Sequence, residues 1–154
     1  MKKNYLKRVL LVFMAVLFMS GCSGQTKTNP NQLNKDDCTI TVKKLVHPYS
    51  DVIRMKLVFK NNSNEAKSCT EVINFQQGFI SQSCDFEVYQ DGVALEFINA
   101  NGECDKKIEK GKSIKVELIY REYDEKGKKK LKVVFNGDNG KELFNNEYKV
   151  TEGK

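Results

Sequence analysis

Ile53-Arg54-Met55-Lys56-Leu57-Val58-Phe59-Lys60 places an apolar side chain on every second residue, with Arg54, Lys56 and Lys60 between them. A strand sends successive side chains to opposite faces, so this period of two puts Ile53, Met55, Leu57 and Phe59 on one buried face. A helix would scatter the same four residues around its circumference. The run stops at Asn61-Asn62-Ser63-Asn64 and starts after His47-Pro48-Tyr49-Ser50-Asp51, both rich in residues that favour turns.

The same alternation recurs on either side. Ile40 and Val42 precede it, Ile73 and Phe75 follow, and then come Phe86 with Val88, and Val93 with Leu95 and Phe97. Ile114, Val116, Leu118 and Tyr120 form a second long run, Leu131, Val133 and Phe135 a third, and Leu143–Val150 a weaker one. Asp91-Gly92 lies between two alternating runs and signals a type I′ hairpin, whose two central residues need positive φ. No segment after residue 22 keeps a 3.6-residue period. Seven or eight short strands separated by turns predict an all-β fold, an antiparallel two-sheet sandwich of immunoglobulin type, with a closed barrel as the alternative. The chain has no Trp, so its core rests on Phe59, Phe75, Phe86, Phe97, Leu118, Tyr120 and Phe135.

The N-terminus follows other rules. Lys2, Lys3, Lys7 and Arg8 precede the apolar run Val9–Met19, which closes in Met19-Ser20-Gly21-Cys22. Its 11 residues suit a signal peptide and fall short of the ~20 needed to span a bilayer. The four closing residues read as a lipobox. That reading implies a diacylglycerol thioether on Cys22 and cleavage before it, leaving the chain anchored on the extracytoplasmic face of the cell membrane. Two acyl chains anchor stably where one does not. The expected division is a signal peptide over 1–21, a lipidated Cys and flexible tether over 22–36, and a sandwich domain over 37–154; residues 23–36 hold almost no apolar side chains.

The formal charge of +6 belongs largely to the signal peptide. Four of the 26 basic residues lie there, which leaves 22 against 20 acidic residues in the mature chain. A near-balanced surface argues against a nucleic-acid partner. Two Lys-rich loops flank Ile114–Arg121: Lys106, Lys107, Lys110 and Lys112, then Lys126, Lys128, Lys129, Lys130 and Lys132. They read as solvated turns at opposite ends of the domain, or as attraction to anionic lipid or cell-wall polymer.

Phe59-Lys60-Asn61-Asn62-Ser63, Val88-Tyr89-Gln90-Asp91-Gly92-Val93-Ala94-Leu95 and Ile108-Glu109-Lys110-Gly111-Lys112-Ser113-Ile114, in that order, carry a resemblance. Over about residues 50–135 the chain resembles small immunoglobulin-like (telokin-like) lipoproteins of Gram-positive bacteria, grouped as a domain of unknown function. The resemblance implies a fold and an address, and no activity.

Chemistry is sparse. His47, the only histidine, sits before Pro48 in an expected turn and would have to serve any Ser-His or Cys-His catalysis alone. Cys38, Cys69, Cys84 and Cys104 are spaced 31, 15 and 20 residues apart, without the C-x-x-C pairs of zinc or thioredoxin-like sites. Asp138, Asn139 and Glu142 offer oxygen ligands but do not fit a calcium loop. The sequence predicts no enzyme and no cofactor. In an oxidising compartment four cysteines favour two disulfides, in any of three connectivities. If the Asp91-Gly92 turn aligns residue 90 with 93, Cys84 falls opposite Asn99 and near Cys104. The expected bridges are therefore Cys84–Cys104 and Cys38–Cys69, with Cys69–Cys84 as the rival. The functional expectation is a membrane-anchored, non-enzymatic binding module that meets an envelope protein or cell-wall polymer. The alternatives are an accessory subunit of an envelope complex or transporter, and a signal peptide whose Met14–Gly21 fragment is a pheromone precursor.

Overall fold

A computed structural model describes residues 29–49, 51–76, 82–122 and 130–152. All the regular structure among them is β: β1 (Gln32–Lys35), β2 (Cys38–Tyr49), β3 (Val52–Asn61), β4 (Phe75–Gln76), β5 (Ser83–Cys84), β6 (Phe86–Gln90), β7 (Val93–Ala94), β8 (Glu96–Asn101), β9 (Ser113–Arg121), β10 (Lys130–Asn136) and β11 (Glu142–Glu152). Hydrogen-bonded neighbours run β7-β6-β10-β11-β2-β3-β9-β8, with β1 added beside β2 and with β4-β5 as a separate pair. Every pairing in the long path is antiparallel except β11 with β2.

This path is folded over on itself. β6 and β9 stand five places apart along it, yet the Tyr120 hydroxyl on β9 donates to the Phe86 carbonyl on β6 at 2.7 Å. β11 makes the corner: its residues up to Lys149 pair with β10, and Val150–Glu152 pair with β2. The inner faces meet in a core of Ile40, Leu45, Ile53, Met55, Leu57, Phe59, Leu118 and Tyr120 against Phe86, Val88, Leu131, Val133, Phe135 and Phe144. Phe86 packs edge-on against Phe135 with ring centroids 4.7 Å apart, and Phe97 against Tyr120 at 5.6 Å. Of the seven expected core residues six are fully buried, and Phe75 is partly buried.

The Ile53–Lys60 run forms β3, inner residues buried in alternation, paired with β2 on one side and β9 on the other. The Asp91-Gly92 turn also forms as its sequence predicts, with φ of 51° and 85° and Gln90 opposite Val93.

Three boundaries differ from expectation. β1 lies inside the stretch read as tether, because Leu33 is buried and Gln32–Lys35 ladder onto Thr41–Cys38. β2 continues through His47-Pro48 to Tyr49, where a turn was expected. Its registers shift after Val42 and after Val46, so its buried set changes phase from Ile40 and Val42 to Leu45. Finally, the Asp91-Gly92 hairpin is short. Leu95 N still donates to Val88 O at 2.7 Å, but from Glu96 the chain crosses to β9.

Candidate functional site

The residues read as signal peptide and lipobox, the Met14–Gly21 fragment and Cys22 lie outside the described residues, as do Lys126, Lys128 and Lys129. Asn31 is held to the domain: its carbonyl accepts from Val42 N at 2.9 Å, and its side chain accepts from Asn146 Nδ2 at 2.9 Å. Lys35 then reaches across the domain. Its ammonium donates to Val72 O at 3.0 Å and to Asp138 Oδ1 at 2.9 Å, and stands 5.6 Å from the Phe135 ring centre. Asp138 is thereby engaged. Asn139 Oδ1 accepts from Lys141 N at 3.0 Å and Glu142 Oε1 from Asn145 Nδ2 at 2.9 Å, as befits a turn. Among the described residues no cluster of three His, Cys, Asp or Glu is arranged to hold a metal ion.

The four domain cysteines are free thiols. Cys38, at the start of β2, turns its sulfur to Asn61 Oδ1 at 3.8 Å. Cys84 on β5 lies against the Tyr120 hydroxyl, and burial pushes its thiol up to about 12. The Cys104 thiol donates to Asn101 O at 3.9 Å, and the Cys69 and Cys104 thiols lie close enough to influence each other's titration. Their proximity and burial push Cys69 far up, while the same proximity holds Cys104 below the ordinary thiol value. The neighbours are therefore not the expected Cys84–Cys104 and Cys38–Cys69. The expected register required the β6 hairpin to run on to Asn99, but β8 has left for β9 by then, with Asn99 opposite Ile119.

His47 sits at the end of β2, opposite Glu152 of β11, rather than in a turn. Its Nε2 stands 2.6 Å from Glu122 Oε2, a carboxylate whose side chain is 7 % exposed. Glu122 is placed by its own N–H, which donates to Asp51 O at 2.9 Å. No sequence signal marked this pair, because 75 residues separate its members.

Two shallow concavities among the described residues are lined with charged side chains. One of about 500 Å³ is lined by Asp36, Asp37, Glu65, Lys67, Glu71 and Lys107, and the Lys107–Glu71 ion pair at 3.0 Å closes part of it. Another of about 550 Å³ gathers Tyr89, Asp91, Lys130, Lys132 and Glu147. Each mixes both signs of charge, and the second holds Lys130 3.9 Å from Glu147. The lysines of the first Lys-rich loop are likewise drawn into local contacts, Lys106 to Glu103 at 2.7 Å and Lys110 to Asn64 Oδ1 at 2.6 Å. The exposed large apolar side chains among the described residues are Tyr49, Val93 and Leu143, each on a different strand. Scattered singly, such residues mark no docking patch.

No family model matches the chain, and no curated protein does. Among solved structures it is similar to an uncharacterized β-sandwich protein from Clostridium difficile 630, at 15 % identity and a TM-score of 0.48, over 78 % of this chain and 89 % of that one.

Proposed function

We propose that this chain is a lipid-anchored protein of the extracytoplasmic membrane face, and that its folded-over sheet is an immunoglobulin-like sandwich serving as a non-enzymatic interaction module. It would then sit with the telokin-like lipoproteins it resembles. The observation that carries the address is Met19-Ser20-Gly21-Cys22 closing an apolar run too short to span a bilayer. The parallel β11–β2 pairing at the corner supports the immunoglobulin-like arrangement. The non-enzymatic reading is supported by a sequence with a single histidine and no C-x-x-C pair. Asn31 is already tied to Val42 and Asn146, and eight residues, 23–30, separate it from Cys22, a reach of at most ~32 Å. The module therefore works close to the headgroups and meets a membrane protein or the innermost cell-wall polymer.

Radiolabelled palmitate fed to cells tests the anchor. Label and membrane retention are expected in the wild type, and both are lost in Cys22→Ala; retention of both in that variant refutes the address. Cross-linking on intact cells then identifies what the anchored domain touches. A reproducible turnover by the purified protein that disappears in His47→Ala would refute a non-enzymatic role.

A further inference from the structure

Two segments without extended strand structure clasp each other at the base of the fold. Lys67 N donates to Ile108 O at 3.2 Å and Ile108 N returns to Lys67 O at 2.9 Å, an isolated antiparallel bridge. A few residues further in, Thr70 N donates to Cys104 O at 3.2 Å and Thr70 Oγ1 reaches the same oxygen at 3.5 Å. This clasp sets Cys69 beside Cys104 within the core, where their residues are 0 % and 6 % exposed.

We propose that Cys69 and Cys104 are a dithiol built to close into a disulfide, tying the 67–70 segment to the 104–108 segment. Its occurrence in cells rests on the extracytoplasmic address proposed above, since disulfides persist in oxidising compartments. Cys38 and Cys84 remain thiols, because Asn61 and Tyr120 occupy them.

The oxidant is a small or protein disulfide, here represented by oxidised glutathione. Cys104 loses its proton to solvent, and its thiolate attacks one glutathione sulfur. The glutathione S–S bond breaks and one glutathione leaves as thiolate. Cys69 then attacks the Cys104 sulfur of the mixed disulfide, its proton passing to the second departing glutathione. Two cysteine thiols are oxidised and one glutathione disulfide is reduced to two thiols. Cys104 acts first: it is the more exposed of the two, and the neighbouring Cys69 thiol favours its thiolate form.

The test uses the full-length protein in detergent, reduced and then transferred to oxidised glutathione before alkylation and peptide mapping. A Cys69–Cys104 peptide is expected, with Cys38 and Cys84 alkylated, and the same peptide in the Cys38→Ser/Cys84→Ser double variant. Reduction should lower Tm by on the order of 10 °C for a loop of this length. That shift should vanish in Cys104→Ser and in Cys104→Ala, both checked for folding by circular dichroism. Alkylation of Cys69 and Cys104 after oxidation, or a dominant link from either to Cys38 or Cys84, overturns the proposal. Alkylating intact cells before lysis separates the premises. The linked peptide in cells supports bridge and address together. Free thiols in cells beside a bridge formed in glutathione refute the address and leave the dithiol assignment standing.

Discussion

At the level of single residues, Asn61 holds the base of the fold. It is fully buried, and its side chain is saturated. Nδ2 donates to Glu65 O at 2.7 Å and Ile108 O at 2.8 Å, while Oδ1 accepts from Ser63 N at 2.9 Å and Ser63 Oγ at 2.8 Å. Removing the amide would leave the Ser63 N–H without its acceptor and take one of two donors from each of the Glu65 and Ile108 carbonyls, so Asn61→Ala should cost about 1–3 kcal/mol in urea unfolding. Asn61→Asp keeps the shape but offers no donor to either carbonyl and buries a charge, so it should cost at least as much. Tyr120 and Cys84 make a second residue-scale case. Burial raises the Tyr120 phenol well above its ordinary value and the Cys84 thiol to about 12. In the unfolded chain these groups lose their protons from about pH 9 (thiol) and pH 10 (phenol). Between those values and the folded ones the native state binds more protons, so stability falls as pH rises, by about 1.4 kcal/mol per pH unit for each group. Their full contribution is present below pH ~9. Urea unfolding from pH 7 to 11 should therefore show Cys84→Ala flattening the decline from pH ~9 and Tyr120→Phe flattening it above pH ~10. At neutral pH Tyr120→Phe should itself cost about 1–2 kcal/mol, for the stranded Phe86 carbonyl. An alkaline limb unchanged in both variants would dismiss this assignment.

Among the elements, turns show how backbone geometry and neighbours separate. Gly92 has φ +85°, and a Cβ there would meet nothing within 4 Å, so Gly92→Ala costs only left-handed strain, about 1 kcal/mol. Gly102 has φ +117°, and a Cβ there would meet the Lys115 carbonyl at 2.8 Å, backbone that cannot swing aside. Gly102→Ala should cost roughly 2–4 kcal/mol, clearly more than Gly92→Ala by thermal unfolding; equal costs would contradict the contact. Elements with an unbroken period were legible in the sequence. β3, β9 and the Asp91-Gly92 turn follow from alternation and turn chemistry alone. The second half of β2 was hidden because the shift after Val42 breaks the period, and Pro48 imitates a turn. The thiol neighbours were hidden for a related reason. A hairpin register is local, and it ends where Leu95 hands the chain to the other half of the sheet. The Cys69–Cys104 contact depends on the clasp of 67–70 with 104–108, which no period or spacing encodes.

Across the whole molecule, β1 acts as a strap. β2 offers one edge to two partners in succession, β1 along Cys38–Thr41 and β11 along Leu45–His47. The first of these partners contributes Leu33 to the core and sends Lys35 to Val72 O and to Asp138 in the turn between β10 and β11. β1 therefore ties together elements from both ends of the described chain. A polar stretch with one buried leucine looks like tether in the sequence, and only its partners make it structure. The strap predicts that stability depends on residues ahead of β2. A chain of residues 29–154 keeps the β1 ladder, the Leu33 burial and the Lys35 bonds. A chain of residues 37–154 loses the β1 ladder, the Leu33 burial and the Lys35 bonds, and should be less stable by about 3–5 kcal/mol. Leu33→Ala in the longer chain should reproduce about 2–3 kcal/mol of that loss, set by the cavity it leaves. Equal midpoints for the chains starting at 29 and 37 would show instead that β1 rests on a domain complete without it.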